Sequence, residues 1–251
     1  MKMKKPFLLS ALAAAAISPA SAASVLVDIN ADGTNRTATA AEFEDAIGLT
    51  AGSFSGESVL VFGGSEESGV YTQTVSNVTL AMTGKTGAAD NWFGGNSQTG
   101  AGSSPNNLLE DGFFLAGNDP STNSETITIS GSGLGLVANT QYSLYLFAGR
   151  SQGHRTTFTF DSTSIAPSIP VVGGDETLGT AGFTFNTGSV VPSSLVITWA
   201  TNLGPNPLDD SGSDDAVFAG FALTTVAVPE PSSLALIGLA GFGLLLRRRR
   251  N

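Results

Sequence analysis

The chain has no cysteine and a single histidine, His154. No disulfide can staple the fold, so its stability must come from a packed core. One histidine and no thiol also leave little for nucleophilic catalysis, because a Ser–His pair needs an imidazole brought in from elsewhere and a third group to orient it. Basic residues are scarce in the interior of the sequence. Seven of the eleven lie in the terminal segments (Lys2, Lys4, Lys5 and Arg247 to Arg250), and every acidic residue except Glu230 lies in residues 23–226. The interior therefore carries four basic against twenty acidic side chains, a formal net charge of −16. Such a surface repels nucleic acid and anionic lipid and attracts divalent cations, so no nucleic-acid partner is expected. Also missing is an uninterrupted apolar run of about 20 residues, the length that spans a bilayer comfortably.

Two shorter apolar runs are present, one at each end. The first follows a basic start, MKMKK, runs from Phe7 to Ile17, and is closed by Pro19 and the small residues Ala20, Ser21 and Ala22. This is the layout of a secretory signal peptide, expected to be removed by signal peptidase after residue 22. The second runs from Leu234 to Leu246, and as a helix it would reach roughly 20 Å at about 1.5 Å per residue, against a hydrocarbon core of about 30 Å. Pro231 to Ser233 and snorkelling arginines extend it into a marginal transmembrane helix. Arg247, Arg248, Arg249 and Arg250 are expected to stay on the cytoplasmic side, which agrees with export of the body. Glu230 stands between Pro229 and Pro231, which hold the chain extended and accessible.

The order Pro229-Glu230-Pro231, short apolar helix, terminal arginine cluster resembles a PEP-CTERM sorting signal. The resemblance covers residues 227–251. It implies export in a Gram-negative bacterium, transient residence in the inner membrane, and recognition of the motif by an exosortase that removes the tail. Delivery to the cell surface or extracellular matrix would follow, often in hosts that make exopolysaccharide.

Residues 23–226 read as one domain. Period-two segments rich in Val, Ile, Thr, Phe and Tyr, bounded by Gly, Asn, Pro or Asp, predict strands at 24–28, 58–62, 70–82, 112–116, 125–130, 141–148, 155–161, 182–185, 194–200 and 217–226. A short helix is expected over 38–47. In QYSLYLFAGR both alternating faces are largely apolar, as in a central strand, and Trp199 sits mid-strand at a core position. These features predict an all-β fold, a single jelly-roll-like β-sandwich between a cleaved signal peptide and the C-terminal sorting helix. The strand rhythm resembles galactose-binding-like sandwich domains, common as carbohydrate-binding modules in exported bacterial proteins.

Candidate chemistry is sparse. Gly149-Arg150-Ser151-Gln152-Gly153 matches G-x-S-x-G, but a nucleophile elbow needs a strand, a turn and then a helix. Here another strand follows, so a hairpin turn is expected. Asp28-Ile29-Asn30-Ala31-Asp32-Gly33 opens like a calcium loop, with oxygen ligands at alternate positions and a glycine for the turn, although Thr39 stands where glutamate is wanted. If first and last strands are neighbours, Asp214 and Asp215 could share an ion with Asp28, Asn30 and Asp32; an Asx-turn is the structural alternative. No cofactor is required, and a structural calcium is the one candidate. Trp92, Phe93 and Tyr71 are candidate sugar-stacking aromatics, with burial as a loop anchor the alternative for Trp92. The functional expectation is a non-enzymatic surface or matrix protein that binds extracellular polysaccharide. The competing expectation is a secreted esterase or glycosidase acting on matrix polysaccharide.

Overall fold

The structure is a computed structural model. It describes residues 24–30, 37–63, 70–83, 94–95, 107–109, 112–115, 124–150, 156–165, 177–201 and 216–225. The signal peptide, the sorting tail, Trp92, Phe93, Asp32, Asp214, Asp215 and Ser151 lie outside these residues.

The strands are β1 (Ser24–Asn30), β2 (Val59–Gly63), β3 (Val70–Val75), β4 (Val78–Thr83), β5 (Gly94–Gly95), β6 (Phe113–Leu115), β7 (Ser124–Ser130), β8 (Gln141–Arg150), β9 (Thr156–Phe160), β10 (Thr163–Ile165), β11 (Thr177–Asn186), β12 (Ser194–Thr201), β13 (Ala216–Phe218) and β14 (Gly220–Thr225). One α-helix, α1, spans Ala40–Ile47. A five-stranded sheet in the order β11-β8-β14-β1-β2 faces a six-stranded sheet in the order β10-β9-β12-β7-β4-β3, and β13-β6-β5 form a small third sheet. Among the pairs, β1–β2 is parallel and the others are antiparallel.

Strand alternation builds the interior. Val25, Val27 and Ile29 of β1, and Tyr142, Leu144, Leu146 and Ala148 of β8, point between the sheets. They meet Leu80 and Met82 of β4, Ile127 and Ile129 of β7, and Ile197 and Trp199 of β12. Phe160 packs edge-on to Phe183 and Phe185 across the sandwich, at centroid distances of 5.8 and 5.2 Å. A second apolar layer covers the other face of the five-stranded sheet. There Leu26, Phe147 and Ala222 pack under Phe43 of α1, Phe54 and Leu108, and the Phe43 and Phe147 rings meet edge-on at 5.4 Å.

α1 is placed by its ends. Thr39 and Glu42 form a capping box. Gly48 closes the helix in the left-handed conformation. Buried Glu44 accepts from the Gly52 and Phe54 amides, fixing the turns that follow. Glu42 also accepts from the Asn107 amide at 2.8 Å, tying in the 3₁₀ turn Asn107–Leu109.

Three sequence expectations change. The predicted strand 70–82 is a hairpin, turned at Ser76 and Asn77 with φ of 49° and 63°. Two positive φ angles are the signature of a type I′ turn, and Asn accepts one without glycine. The predicted strand 217–226 is broken at Ala219, so that β13 joins the small sheet and β14 the large one. The segment after β8 is not a hairpin, because β8 pairs with β11 and β14 while β9 pairs with β12 and β10. The chain crosses there from one sheet to the other.

At Gly220, β14 passes so close to β1 that a Cβ would lie 2.2 Å from the Val27 carbonyl oxygen. Gly220→Ala is expected to destabilise the fold by about 2–4 kcal/mol, the cost of overpacking a backbone contact. Urea unfolding should show a lowered midpoint with an unchanged slope.

Candidate functional site

β1 carries the first candidate group. Because Val25, Val27 and Ile29 face the sandwich, Leu26, Asp28 and Asn30 face the layer under α1. Asp28 pairs with Val61 of β2 and Gly220 of β14, so the first and last strands are neighbours as expected. Its side chain is 1% exposed. Oδ2 accepts from the Ala38 amide at 2.9 Å, whereas buried Oδ1 has no hydrogen-bond partner. Burial raises the carboxyl pKa to about 7; the Ala38 hydrogen bond opposes this, and the Glu42 charge adds to it. Asn30 is buried on the same face, 6% exposed.

These two oxygen-bearing side chains are the described part of the proposed calcium loop. Thr39, at the position where that loop wants glutamate, is instead the helix N-cap, and Glu42 is held by Thr39 and Asn107. Among the described residues no group of three or more His, Cys, Asp or Glu side chains is placed to hold a metal.

Tyr71 is not an exposed stacking platform. It is 5% exposed, its ring lies 4.7 Å from that of Phe113, and its hydroxyl donates to the Gly63 carbonyl at 3.0 Å. Alternation along β3 turns it inward, and burial raises its pKa. Gly149 and Arg150 of the G-x-S-x-G stretch end β8, and the next described element is strand β9. The strand–turn–helix geometry of a nucleophile elbow is therefore absent from the described residues.

A feature the motif search missed is the outer face of the six-stranded sheet. Registers align Ser164, Thr159, Thr198 and Thr126 in one row across four strands. Val196, Thr128, Ala81 and Thr72 align in a second row. No described outward side chain on this face is charged. The T-x-T pattern in TQT (72–74), TIT (126–128) and TFT (157–159) is the sequence signal that would have revealed it.

Asp28 gives a pH prediction. A folded carboxyl pKa of about 7, against 3.8 unexposed to the fold, means that the folded state holds the proton more tightly. This group's contribution is most favourable below pH 3.8, is lost as pH rises through the window up to about 7, and is constant above it. The loss is on the order of 4 kcal/mol at about 1.36 kcal/mol per unit. In metal-free buffer, urea midpoints of Asp28→Asn should lack the decline that the wild type shows between pH 4 and 7. Parallel declines would place the titration elsewhere.

Against this geometry stand the comparisons with known proteins. Nothing among curated proteins matches the chain. Solved structures similar to it include the following three. A Bacillus subtilis protein, YXIM, is 11% identical with a TM-score of 0.36, the match covering 81% of this chain and 40% of that one. The enzymatically active domain of bacteriophage CBA120 tailspike protein 4 is 14% identical with a TM-score of 0.26, covering 59% of this chain and 18% of that one. A family 16 carbohydrate-binding module is 16% identical with a TM-score of 0.23, covering 53% of this chain and 82% of that one. The chain thus spans less than half of the first structure, and none of these likenesses carries a ligand or an activity across. The tail is specific. Residues 227–250 match the PEP-CTERM protein-sorting motif, which marks the chain as an exported protein sorted by an exosortase.

Proposed function

We propose that the chain is a non-enzymatic protein of the cell surface or extracellular matrix whose sandwich binds extracellular polysaccharide. The observation that carries this reading is the PEP-CTERM motif at residues 227–250 on a β-sandwich body. In this reading signal peptidase removes residues 1–22. The exosortase then acts at Pro229-Glu230-Pro231 while the short apolar helix and Arg247 to Arg250 hold the tail in the inner membrane. The body, with its net charge of −16, is released where an acidic, disulfide-free domain stays soluble.

A structural calcium belongs to this reading as a stabiliser, not as a catalyst. Asp28 and Asn30 would supply oxygens from β1, and Asp32, Asp214 and Asp215 lie in sequence segments flanking β1 and β13. Millimolar calcium at pH 8 should raise the Tm of the wild type and leave Asp28→Asn unchanged. An equal shift, or none, in both would remove the ion from the account.

The functional test sets a panel of soluble polysaccharides beside esterase and glycosidase substrates. Retention on one or more polysaccharides with no turnover is the expected result. Turnover that Ser151→Ala abolishes would replace this reading with the secreted hydrolase. Turnover that survives Ser151→Ala would point to a carboxylate pair instead.

A further inference from the structure

The two sheets of the sandwich are finished differently. The five-stranded sheet is buried on its inner face by the other sheet, and over β1, β14 and Phe147 of β8 its outer face is covered by the layer under α1, while Gly182 and Thr184 of β11 stay exposed. The six-stranded sheet has one buried face, and among the described residues its other face is open. Strand alternation fills that open face with Ser and Thr, interrupted by Ala and by Val196, which is 51% exposed. Glu125 on β7 points inward and is buried, so it adds no charge there.

We propose that this open face is the polysaccharide-docking surface and that it selects extended, uncharged glycan chains. The inference rests on the polysaccharide-binding reading above and names its surface and ligand class. Three physical features support it. The first is chemistry. Each Thr presents a hydroxyl that donates and accepts and a methyl that packs, which matches the alternating hydroxyl and C–H surfaces of a sugar ring. Neighbouring hydroxyls are paired across strands, Thr74 with Thr79 at 2.8 Å and Thr159 with Ser164 at 2.7 Å. Such a pair uses one hydrogen and leaves the second hydrogen and further lone pairs for a partner.

The second feature is order. Strands about 4.8 Å apart, with same-face residues about 6.8 Å apart along each, set the hydroxyls on a regular grid. β-Branched side chains are stiff about χ1, so a ligand orders little that is not ordered already. The third is charge. No described side chain of the face is charged, on a body of net charge −16. A polyanion would be repelled by the rest of the body, whereas a neutral chain meets no charge that must be stripped of water. The absence of an exposed aromatic among the described residues of this face predicts affinity spread over many weak contacts, so long chains should bind and short oligosaccharides should not.

The test uses the full-length chain in mild detergent, with affinity electrophoresis through gels containing a β-glucan, a galactomannan, a dextran or alginate. Thr128→Glu puts a charge into the second row of the face. The pair Thr126→Val with Thr198→Val removes two hydroxyls but keeps shape and strand preference. Ser55→Glu adds a charge in the exposed turn beside α1 and serves as control. Retardation by at least one neutral polymer and not by alginate is expected. It should weaken about tenfold or more in Thr128→Glu, since a buried unpaired charge is costly, and measurably in the valine pair, with Ser55→Glu unaffected and all melting temperatures close to wild type. If neutral polymers bind and the face variants bind equally well, this surface is wrong while the polysaccharide-binding reading stands. Binding to alginate alone overturns the charge selection. Binding to none of the four overturns the inference together with the reading beneath it. A concentration-dependent oligomer in sedimentation that Thr128→Glu dissolves would make the face a contact between copies of this chain.

Discussion

The structure turns on the position of β1. It is hydrogen-bonded to β14 on one side and β2 on the other, and both of its faces are buried. Val25, Val27 and Ile29 belong to the core between the sheets, and Leu26 belongs to the layer under α1. One strand thus holds both apolar layers in register. A shift by one residue would exchange the two faces and put Asp28 into the sandwich core. The register is secured at Gly220, where only the lack of a Cβ lets β14 approach the Val27 carbonyl. It is secured again by the Ile29 amide, which donates to the Ala219 carbonyl at 3.0 Å. With no disulfide to help, this close packing of backbone and side chains is what holds the fold.

From that arrangement the asymmetry of the molecule follows. α1, its capping box and the turns pinned by Glu44 cover one side of the sandwich. The opposite side is left as a hydroxyl-lined sheet. The covered side contains the unfavourable element of the fold, a carboxyl group buried with one oxygen unsatisfied and its pKa raised to about 7. The open side carries no charged side chain among the described residues. Groups that cost stability are often retained for function, whereas an exposed threonine face costs little and is free to be shaped by what it meets.

Much of the fold was legible because alternation is a direct reading of the strand pleat. QYSLYLFAGR looked two-faced, and β8 does serve both layers. Trp199 is a core residue, as its position implied. The errors share a cause. Val70, Val78 and Leu80 stand at even positions with no glycine between them, so an unbroken alternation can be read across Ser76 and Asn77, although the inward face changes from odd to even positions at that turn. The run from Val217 onward is apolar on both sides of Ala219, so the change of sheet leaves no mark. The crossing between β8 and β9 depends on which strands pair, and local turn chemistry does not encode that. Site reading was weaker still. It weighed Asp, Trp and Tyr one residue at a time, and it passed over a threonine pattern whose meaning appears only when several strands lie side by side. Tyr71 was misjudged because the hairpin that turns it inward was not recognised.

The tail supplies what the body does not, an address. Its sorting motif gives meaning to the acidic charge, the lack of cysteine and the open hydroxyl face, all of which suit a protein that works outside the cell. Intact-mass analysis of the protein recovered from its native host, fraction by fraction and beside a Glu230→Ala variant, tests this most directly. A wild-type product that starts near residue 23, ends near Pro231 and lies outside the inner membrane, with the variant retained uncut, is the predicted result. A wild-type chain still carrying Arg247 to Arg250 and lodged in the inner membrane would contradict it.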